Sequence, residues 1–117
     1  MTPTTLTTAT RWATVCRLAD LMPERGVGAL FGAVQVAVFR LRDDTVRAVG
    51  NCDPVSGANV LSRGIVGTRG SRTVVISPMH KQAYDLDTGA CLDLPHVGVP
   101  VFAARVSDGL VHVAVDR

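Results

Sequence analysis

Aromatic residues are scarce in this chain: they make up 4% of its 117 residues, although 47% of the residues are hydrophobic. The interior must therefore be built from aliphatic side chains, and the frequent valines favour strands because β-branched residues fit extended backbone. Charged residues amount to 19%, too few beside so many apolar ones for a disordered chain. The length suits one domain with one hydrophobic core.

An excess of charge of one sign is also absent, since the formal net charge is +2. Nucleic-acid-binding domains usually carry a dense basic stripe with stacking aromatic side chains, and the sequence has neither feature. It also lacks the run of about 18 apolar residues that a membrane-spanning helix needs. We therefore expect no nucleic-acid partner and no membrane partner.

Cysteines are few, and Cys16, Cys52 and Cys91 form an odd-numbered, scattered set that argues against a disulfide framework. A reducing cytoplasm suits such a chain best. Residues 1–10 are rich in threonine and have neither the basic nor the apolar region of a secretory signal. They are predicted to be a flexible N-terminal tail, which leaves residues 11–117 for the single domain.

Short alternating segments closed by Gly, Asp or Pro recur along the chain and predict antiparallel strands. The clearest is at residues 33–41, where apolar side chains on both faces predict a strand that is covered on both sides for part of its length. One short helical turn is predicted at residues 20–23. The fold expected is all-β, a sandwich or small barrel with little or no helix. Further strands are predicted at residues 12–17, 45–49, 73–76, 83–86, 101–106 and 110–115.

Two glycine-rich segments have alternative interpretations. Gly26, Gly28 and Gly32 superficially resemble a dinucleotide-binding loop, but that loop needs a helix after the glycines and here a strand is predicted, so turn glycines are the default. Residues 63–72 contain three arginines and three glycines, which predicts an exposed, mobile, cationic loop. This loop is either a solvated connection or a docking surface for an acidic patch of a partner.

Catalytic and metal-binding patterns are not apparent from spacing. His80, His96 and His112 each lack a second ligand at a metal-like interval. Ser77 lies close to His80 in sequence, but nothing else connects it to a general base. We therefore expect no catalytic residue on this chain.

Two loops, at residues 48–55 and 77–89, resemble the metal-binding loops of Rieske proteins. In that family a Cys-x-His loop and a Cys-x-x-His loop hold a [2Fe–2S] cluster, with two cysteines on one iron and two histidines on the other. The second loop of the family typically continues with an aromatic residue, an aspartate and a Thr-Gly turn. The positions that match this pattern are Pro78, His80, Tyr84, Asp85, Thr88 and Gly89.

Three of the four ligands of the resembled site are replaced. Asp53 stands at the first cysteine position, Val55 at the first histidine position and Ser77 at the second cysteine position, so that His80 alone remains. Cys52 is one residue out of register, a shift that turns a side chain to the opposite side of an extended segment. A single imidazole cannot retain two iron atoms, so we expect no metal on this chain. His80 then either contributes to docking or hydrogen-bonds across the two loops.

Over residues 12–113 the chain is similar to the small subunit of assimilatory NAD(P)H-dependent nitrite reductases. The resemblance implies a Rieske-like fold and an accessory role in the cytoplasm, beside a large subunit that reduces nitrite to ammonium. FAD, siroheme and an iron–sulfur cluster are then expected on the large subunit and no cofactor on this chain. The strings that carry the resemblance are Asp53-Pro54 and residues 56–58 (Ser-Gly-Ala), 61–67 (Leu-Ser-Arg-Gly-Ile-Val-Gly) and 77–82 (Ser-Pro-Met-His-Lys-Gln), together with Asp85, Leu86, Thr88 and Gly89.

The resemblance also indicates where a partner would bind. In Rieske proteins the cluster loops form a tip that faces the redox partner, and by analogy we expect Arg63, Arg69, His80 and Lys81 to form the docking face here. One alternative is a stand-alone Rieske-like domain that binds a ligand or partner at the old cluster position. An electron carrier of the Rieske ferredoxin class is disfavoured by the missing ligands.

Overall fold

Short antiparallel strands form nearly all the regular structure between residues 11 and 115, the part of the chain that the computed structural model describes. The predicted tail at residues 1–10 lies outside the described residues. The strands are β1 (Trp12–Arg17), β2 (Arg25–Phe31), β3 (Val34–Arg40), β4 (Val46–Gly50), β5 (Ile65–Arg69), β6 (Arg72–Ile76), β7 (Ala83–Asp85), β8 (Val101–Phe102), β9 (Ala104–Ser107) and β10 (Leu110–Ala114). Two 3₁₀ turns lie at Leu18–Asp20 and Leu61–Arg63.

The strands form three antiparallel sheets, in the orders β9-β10-β1, β2-β3-β4-β8 and β5-β6-β7. The all-β prediction is therefore confirmed. Among residues 11–115, no helix combines the length and the apolar character that crossing a membrane requires.

Strand β3 connects the two apolar clusters of the interior. Its side chains alternate, so that Val36 and Val38 pack in one cluster while Ala37 and Phe39 pack in the other. All four are fully buried, as the sequence predicted for a strand covered on both faces. The first cluster also contains Val111 and Val113 of β10, whereas the second extends to the loops at one end of the fold.

Two of the three glycines predicted to lie in turns instead occupy β2. Gly26 pairs with Phe39 and Gly28 with Ala37 in the β2–β3 ladder, and only Gly32, with φ +61°, makes the turn between the two strands. A side chain at Gly26 would stand 2.5 Å from the Phe39 ring and 2.8 Å from the Ser62 carbonyl oxygen. Glycine is therefore needed at this position because Phe39 and Ser62 pack closely against the backbone, and not because the chain turns there.

The mobile cationic loop predicted at residues 63–72 is largely a β-hairpin. Strands β5 and β6 pair along their whole length, and Gly70, with φ +64°, lies in the turn between them. The strand predicted at residues 101–106 is also divided, because β8 pairs with β4 whereas β9 pairs with β10 in another sheet. Both errors concern edge segments, where local sequence says little about the pairing partner.

Candidate functional site

The two loops that resemble Rieske metal loops lie side by side and are each closed by backbone hydrogen bonds. In the first loop, the Asp53 N–H donates to the Ala58 carbonyl at 2.8 Å, and the Gly57 N–H donates to the Asp53 carbonyl at 2.7 Å. In the second loop, the Ser77 N–H donates to the Gln82 carbonyl and the Lys81 N–H donates to the Ser77 carbonyl, both at 3.0 Å. The first loop follows β4 and the second follows β6, so two different sheets fix their positions.

Four buried side chains join the two loops, and we call them the polar cluster: Asp53, Ser77, Gln82 and Tyr84. The Ser77 hydroxyl donates to Asp53 Oδ2 at 2.5 Å. Gln82 Nε2 and the Tyr84 hydroxyl each donate to Asp53 Oδ1 at 3.1 Å, and Gln82 Nε2 also donates to the Tyr84 hydroxyl at 3.1 Å. None of the four residues is more than 4% exposed. The carboxylate of Asp53 is thus the common acceptor of the cluster.

The surroundings of Asp53 favour its charged form. Burial by itself raises the pKa of the Asp53 carboxyl, but hydrogen bonds from the Ser77 hydroxyl, the Val55 N–H and the Tyr84 hydroxyl outweigh it and hold the pKa below its ordinary value. The Val55 N–H lies 2.9 Å from Asp53 Oδ1. Burial, reinforced by the nearby carboxylate, raises the pKa of Tyr84 to about 12, although the bond from Gln82 acts in the opposite direction. The cluster therefore contains one carboxylate and one neutral phenol at neutral pH.

Gln82 is the under-satisfied member of the polar cluster. Its Oε1 is buried and accepts no hydrogen bond from the described residues, whereas Nε2 serves two acceptors. Rotating the amide by half a turn would set Oε1 against the Asp53 carboxylate and lose both bonds. The carboxylate thus determines the orientation of the amide, at the expense of one unpaired acceptor.

The positions of the Rieske ligands do not fit a [2Fe–2S] cluster. Asp53 and Ser77, at the two cysteine positions, are in direct hydrogen-bond contact and leave no room for an iron atom between their oxygens. Val55 offers an exposed isopropyl group, and no thiol replaces the missing ligands, since the Cys52 sulfur instead contacts the Asp53 carbonyl at 3.8 Å. Among residues 11–115, no group of three or more His, Cys, Asp or Glu side chains is arranged to hold a metal ion.

The remaining ligand position, His80, is exposed at the tip, and within the described part of the chain its side chain makes no hydrogen bond. The alternative in which His80 hydrogen-bonds across the two loops is therefore wrong. The bonds between the loops come from the polar cluster, because its side chains point inward whereas that of His80 points to solvent.

Three of the four predicted docking residues come together. Arg69, His80 and Lys81 line a shallow cavity of about 260 Å³ at the tip. Arg69 is paired there with Asp93, with 3.0 Å between Nη1 and Oδ1, so its charge is already balanced. Arg63 is not part of this surface, because the 3₁₀ turn at Leu61–Arg63 places it in a separate groove. Of the docking face predicted from the sequence, Arg69, His80 and Lys81 therefore lie together at the tip, whereas Arg63 lies elsewhere.

Sequence reasoning gave no anchoring role to two buried residues of the loops, Asn51 and Asp85. Asn51 accepts the Ser62 N–H on Oδ1 at 2.8 Å and donates from Nδ2 to the Asn59 carbonyl at 3.3 Å, which holds the first loop against the following turn. Asp85 is 2% exposed and accepts from Arg72 Nη1 at 2.6 Å. Burial by itself raises the pKa of Asp85. The hydrogen bonds from Arg72 and from the Asp87 and Thr88 N–H groups outweigh this effect and hold the pKa below its ordinary value. The sequence signal that could have indicated this anchoring role is a polar side chain within a mostly apolar segment.

Comparison with known proteins agrees with this fold. Residues 11–114 match the family model described as a Rieske-like [2Fe-2S] domain. The Nitrite reductase (NADH) small subunit of Escherichia coli (strain K12) is 39% identical over 104 residues, which cover 88% of this chain and 96% of that protein. A crystal structure assigned as an NADH-dependent nitrite reductase small subunit from Mycobacterium tuberculosis is 54% identical, with a TM-score of 0.90 over 94% of this chain and 99% of that one.

A third relative is longer than this chain. In the Nitrite reductase [NAD(P)H] large subunit of Klebsiella oxytoca, a segment of 102 residues is 39% identical and covers 87% of this chain but only 11% of that protein. The same domain therefore occurs both as a separate chain and as part of a large subunit. Taken with the matched loops and the matched length, these findings show that the chain belongs to the nitrite reductase small-subunit family of Rieske-like domains.

Proposed function

We propose that this chain is the accessory small subunit of a cytoplasmic NAD(P)H-dependent nitrite reductase of nitrate assimilation, and that it acts by docking to the large subunit without an iron–sulfur cluster of its own. The observation that carries the proposal is the direct contact of the Asp53 carboxylate with the Ser77 hydroxyl, at the two positions where a Rieske protein has cysteines. FAD, siroheme and the iron–sulfur cluster of the enzyme belong to the large subunit. The small subunit supplies no catalytic residue.

The polar cluster explains how the tip keeps its shape without metal. In a Rieske protein the cluster cross-links the two loops through its ligands. Here the carboxylate of Asp53 takes that role, because it accepts hydrogen bonds from Ser77 and Gln82 in the second loop and from Tyr84 in the strand after it. A tip that is held in place without a redox group can still present a defined surface to a partner.

The surface of the tip has the composition of a protein interface. Val55, Met79 and Leu94 are apolar and between 40% and 49% exposed, and they lie in the tip loops or line the tip cavity. His80 and Lys81 lie beside them, and neither side chain has an ion-pair partner among residues 11–115. Apolar anchors beside the Lys81 ammonium group and the His80 imidazole fit a partner surface that offers a hydrophobic pocket edged with carboxylates.

The Klebsiella oxytoca protein supports the choice of partner. Its large subunit includes a segment similar to this chain, so in that protein the two parts are covalently joined. Domains that are fused in one protein and separate in another commonly act together. The partner proposed for the tip is accordingly the nitrite reductase large subunit of the same cell.

The test is to co-express this chain with an affinity-tagged large subunit, and to measure co-elution and NAD(P)H-dependent nitrite consumption. We expect a stable complex whose nitrite turnover exceeds that of the large subunit alone. The double variant His80→Glu/Lys81→Glu should weaken the affinity by about tenfold or more, the effect of losing one or two central contacts. Arg105→Glu, on β9, is the control for charge reversal away from the tip; it loses only the contact of its guanidinium with the Trp12 ring, at 4.1 Å from the ring centroid, and should bind normally.

Two results would count against the proposal. A large subunit that neither binds the chain nor gains activity from it would remove the accessory role. In that case, a rise in melting temperature caused by a small ligand without any protein partner would favour the stand-alone binding domain instead.

A further inference from the structure

Arg63, which the fold separates from the tip, lies in a second groove. This groove has a volume of about 800 Å³, and we call it the edge groove. One wall is β2, the outer strand of the four-stranded sheet, and another is the start of β5, the outer strand of its own three-stranded sheet. No residue that lines the tip cavity also lines the edge groove. The edge groove and the tip cavity are thus separate depressions, at two different places on the fold.

Several exposed apolar side chains line the edge groove. Ile65 is 69% exposed, Met22 is 67% exposed and Val27 is 37% exposed, and all three line the groove. Isolated apolar residues at a protein surface are ordinary, but a group of them in one depression marks an interaction site.

The charges of the edge groove are unbalanced in one direction. Its two acidic side chains are already paired with cations outside the groove, Asp20 with Arg17 at 3.1 Å and Glu24 with Arg42 at 3.3 Å. Arg25 and Arg63 line the same groove, and neither side chain has an ion-pair or hydrogen-bond partner within residues 11–115. What binds here must therefore bring acidic groups to two unpaired guanidinium groups.

We infer that the edge groove is a second docking surface and that it takes an extended segment of the large subunit bearing aliphatic and acidic side chains. The inference rests on the proposed function, from which it takes the partner. Outer strands present unpaired backbone N–H and C=O groups, so an extended segment can bind beside them by strand addition. Its aliphatic side chains cover Ile65 and Met22, and its carboxylates reach Arg25 and Arg63.

A second copy of this chain is the poorer occupant. A symmetric dimer through this groove would bring the same unpaired arginines of both copies together, since a two-fold interface places identical patches face to face. Relief of that repulsion would require Asp20 or Glu24 of one copy to leave its own Arg17 or Arg42 and to pair with an arginine of the other copy. The large subunit is not restricted in this way.

The test compares binding of the purified large subunit to variants of the full chain by isothermal titration calorimetry. Ile65→Glu and the double variant Arg25→Glu/Arg63→Glu should each weaken binding by about tenfold or more, while far-ultraviolet circular dichroism stays unchanged. Leu30→Glu is the matched control for the apolar change, since Leu30 is 64% exposed on the same strand but does not line the groove. Arg105→Glu again controls for charge. Both controls should bind as the unaltered chain does.

Hydrogen exchange supplies a readout that does not depend on variants. On addition of the large subunit, the outward-facing backbone amides of β2 within residues 26–28 and of β5 within residues 65–66 should become protected, because an added strand pairs with them. The N–H groups of residues 24, 25, 63 and 64 already donate to carbonyls within the chain and serve as the internal reference. The inference would be overturned if both groove variants bound normally and the amides of the edge groove gained no protection. If the tip variant still bound weakly in that case, the proposed function would remain intact. Failure of the unaltered chain to bind the large subunit at all would overturn both.

Discussion

Two parts of the interior hold this molecule together by different physical means. Between the sheets, Val36, Val38, Val111 and Val113 are fully buried and interact through non-directional apolar contacts. At the tip, the polar cluster is buried to the same degree, but its contacts are hydrogen bonds that converge on Asp53. The apolar cluster can tolerate substitutions that keep the side-chain volume similar. The polar cluster should instead lose much of its stabilising effect when its common acceptor is removed.

The largest effect is expected from removal of the common acceptor. Asp53→Ala leaves Ser77, Gln82 and Tyr84 buried without their partner and should lower the free energy of unfolding by about 3 to 5 kcal/mol. Urea denaturation at neutral pH measures this quantity. In the matched control Asp87→Ala, the lost carboxylate is exposed and pairs with Arg47 at the surface, so the loss should be below about 1 kcal/mol. Equal losses in the two variants would show that the polar cluster is not a special anchor.

A smaller loss is expected from the apolar cluster. Val38→Ala removes two buried carbon atoms and should lower the free energy of unfolding by about 2 kcal/mol, the transfer term plus a small cavity. Val106→Ala, at a position that is 37% exposed, is the control and should change stability by less than about 0.5 kcal/mol. A larger loss of unfolding free energy in Val38→Ala than in Asp53→Ala would contradict the comparison of the two clusters.

Acid should weaken the tip and spare the apolar cluster. The folded pKa of Asp53 lies below its unfolded value of about 3.9, so its contribution is fully present above about pH 5 and is lost as the pH falls through the folded pKa. Asp53→Asn cannot titrate, and between about pH 5 and pH 3 it should therefore lose less stability than the unaltered protein. Urea denaturation at several pH values gives both curves. Identical slopes would contradict the assignment of this carboxylate.

Tyr84 offers a probe that leaves neutral-pH stability untouched. It is the only tyrosine of the chain, so the absorbance of tyrosinate near 295 nm follows one group. We expect ionisation at about pH 12, because burial disfavours the phenolate and the Asp53 carboxylate repels it. In urea the same group should titrate near pH 10. Val38→Ala should not alter the folded titration, whereas Asp53→Ala should lower its midpoint.

The sequence predicted the strands well where neighbouring residues decide the structure. At residues 12–17 the alternation of side chains between two faces identifies a strand, and in β3 the apolar side chains on both faces identify a strand that is covered on both sides. Residues 25–31 were missed, since Gly26 and Gly28 carry no such pattern and their place in β2 depends on packing against Phe39 and Ser62. Tertiary contact, which one segment of sequence does not contain, decided that element.

The candidate site was predictable in part for a similar reason. The resemblance placed Asp53 and Ser77 at the ligand positions of two neighbouring loops, and the fold brings them into contact. It gave no role to the amide of Gln82, because side-chain direction depends on how the loops close. Nor could it show that Arg63 faces another groove, since the distance between Arg63 and Arg69 depends on where the hairpin begins.

The central claim is that hydrogen bonds, and not an iron–sulfur cluster, join the two loops at the tip. The most direct test is to purify the chain anaerobically from iron-replete cells, and to record its iron content and its electron paramagnetic resonance spectrum after reduction. The account predicts no stoichiometric iron and no Rieske-type signal. A coloured protein with two iron atoms per chain and that signal would contradict it.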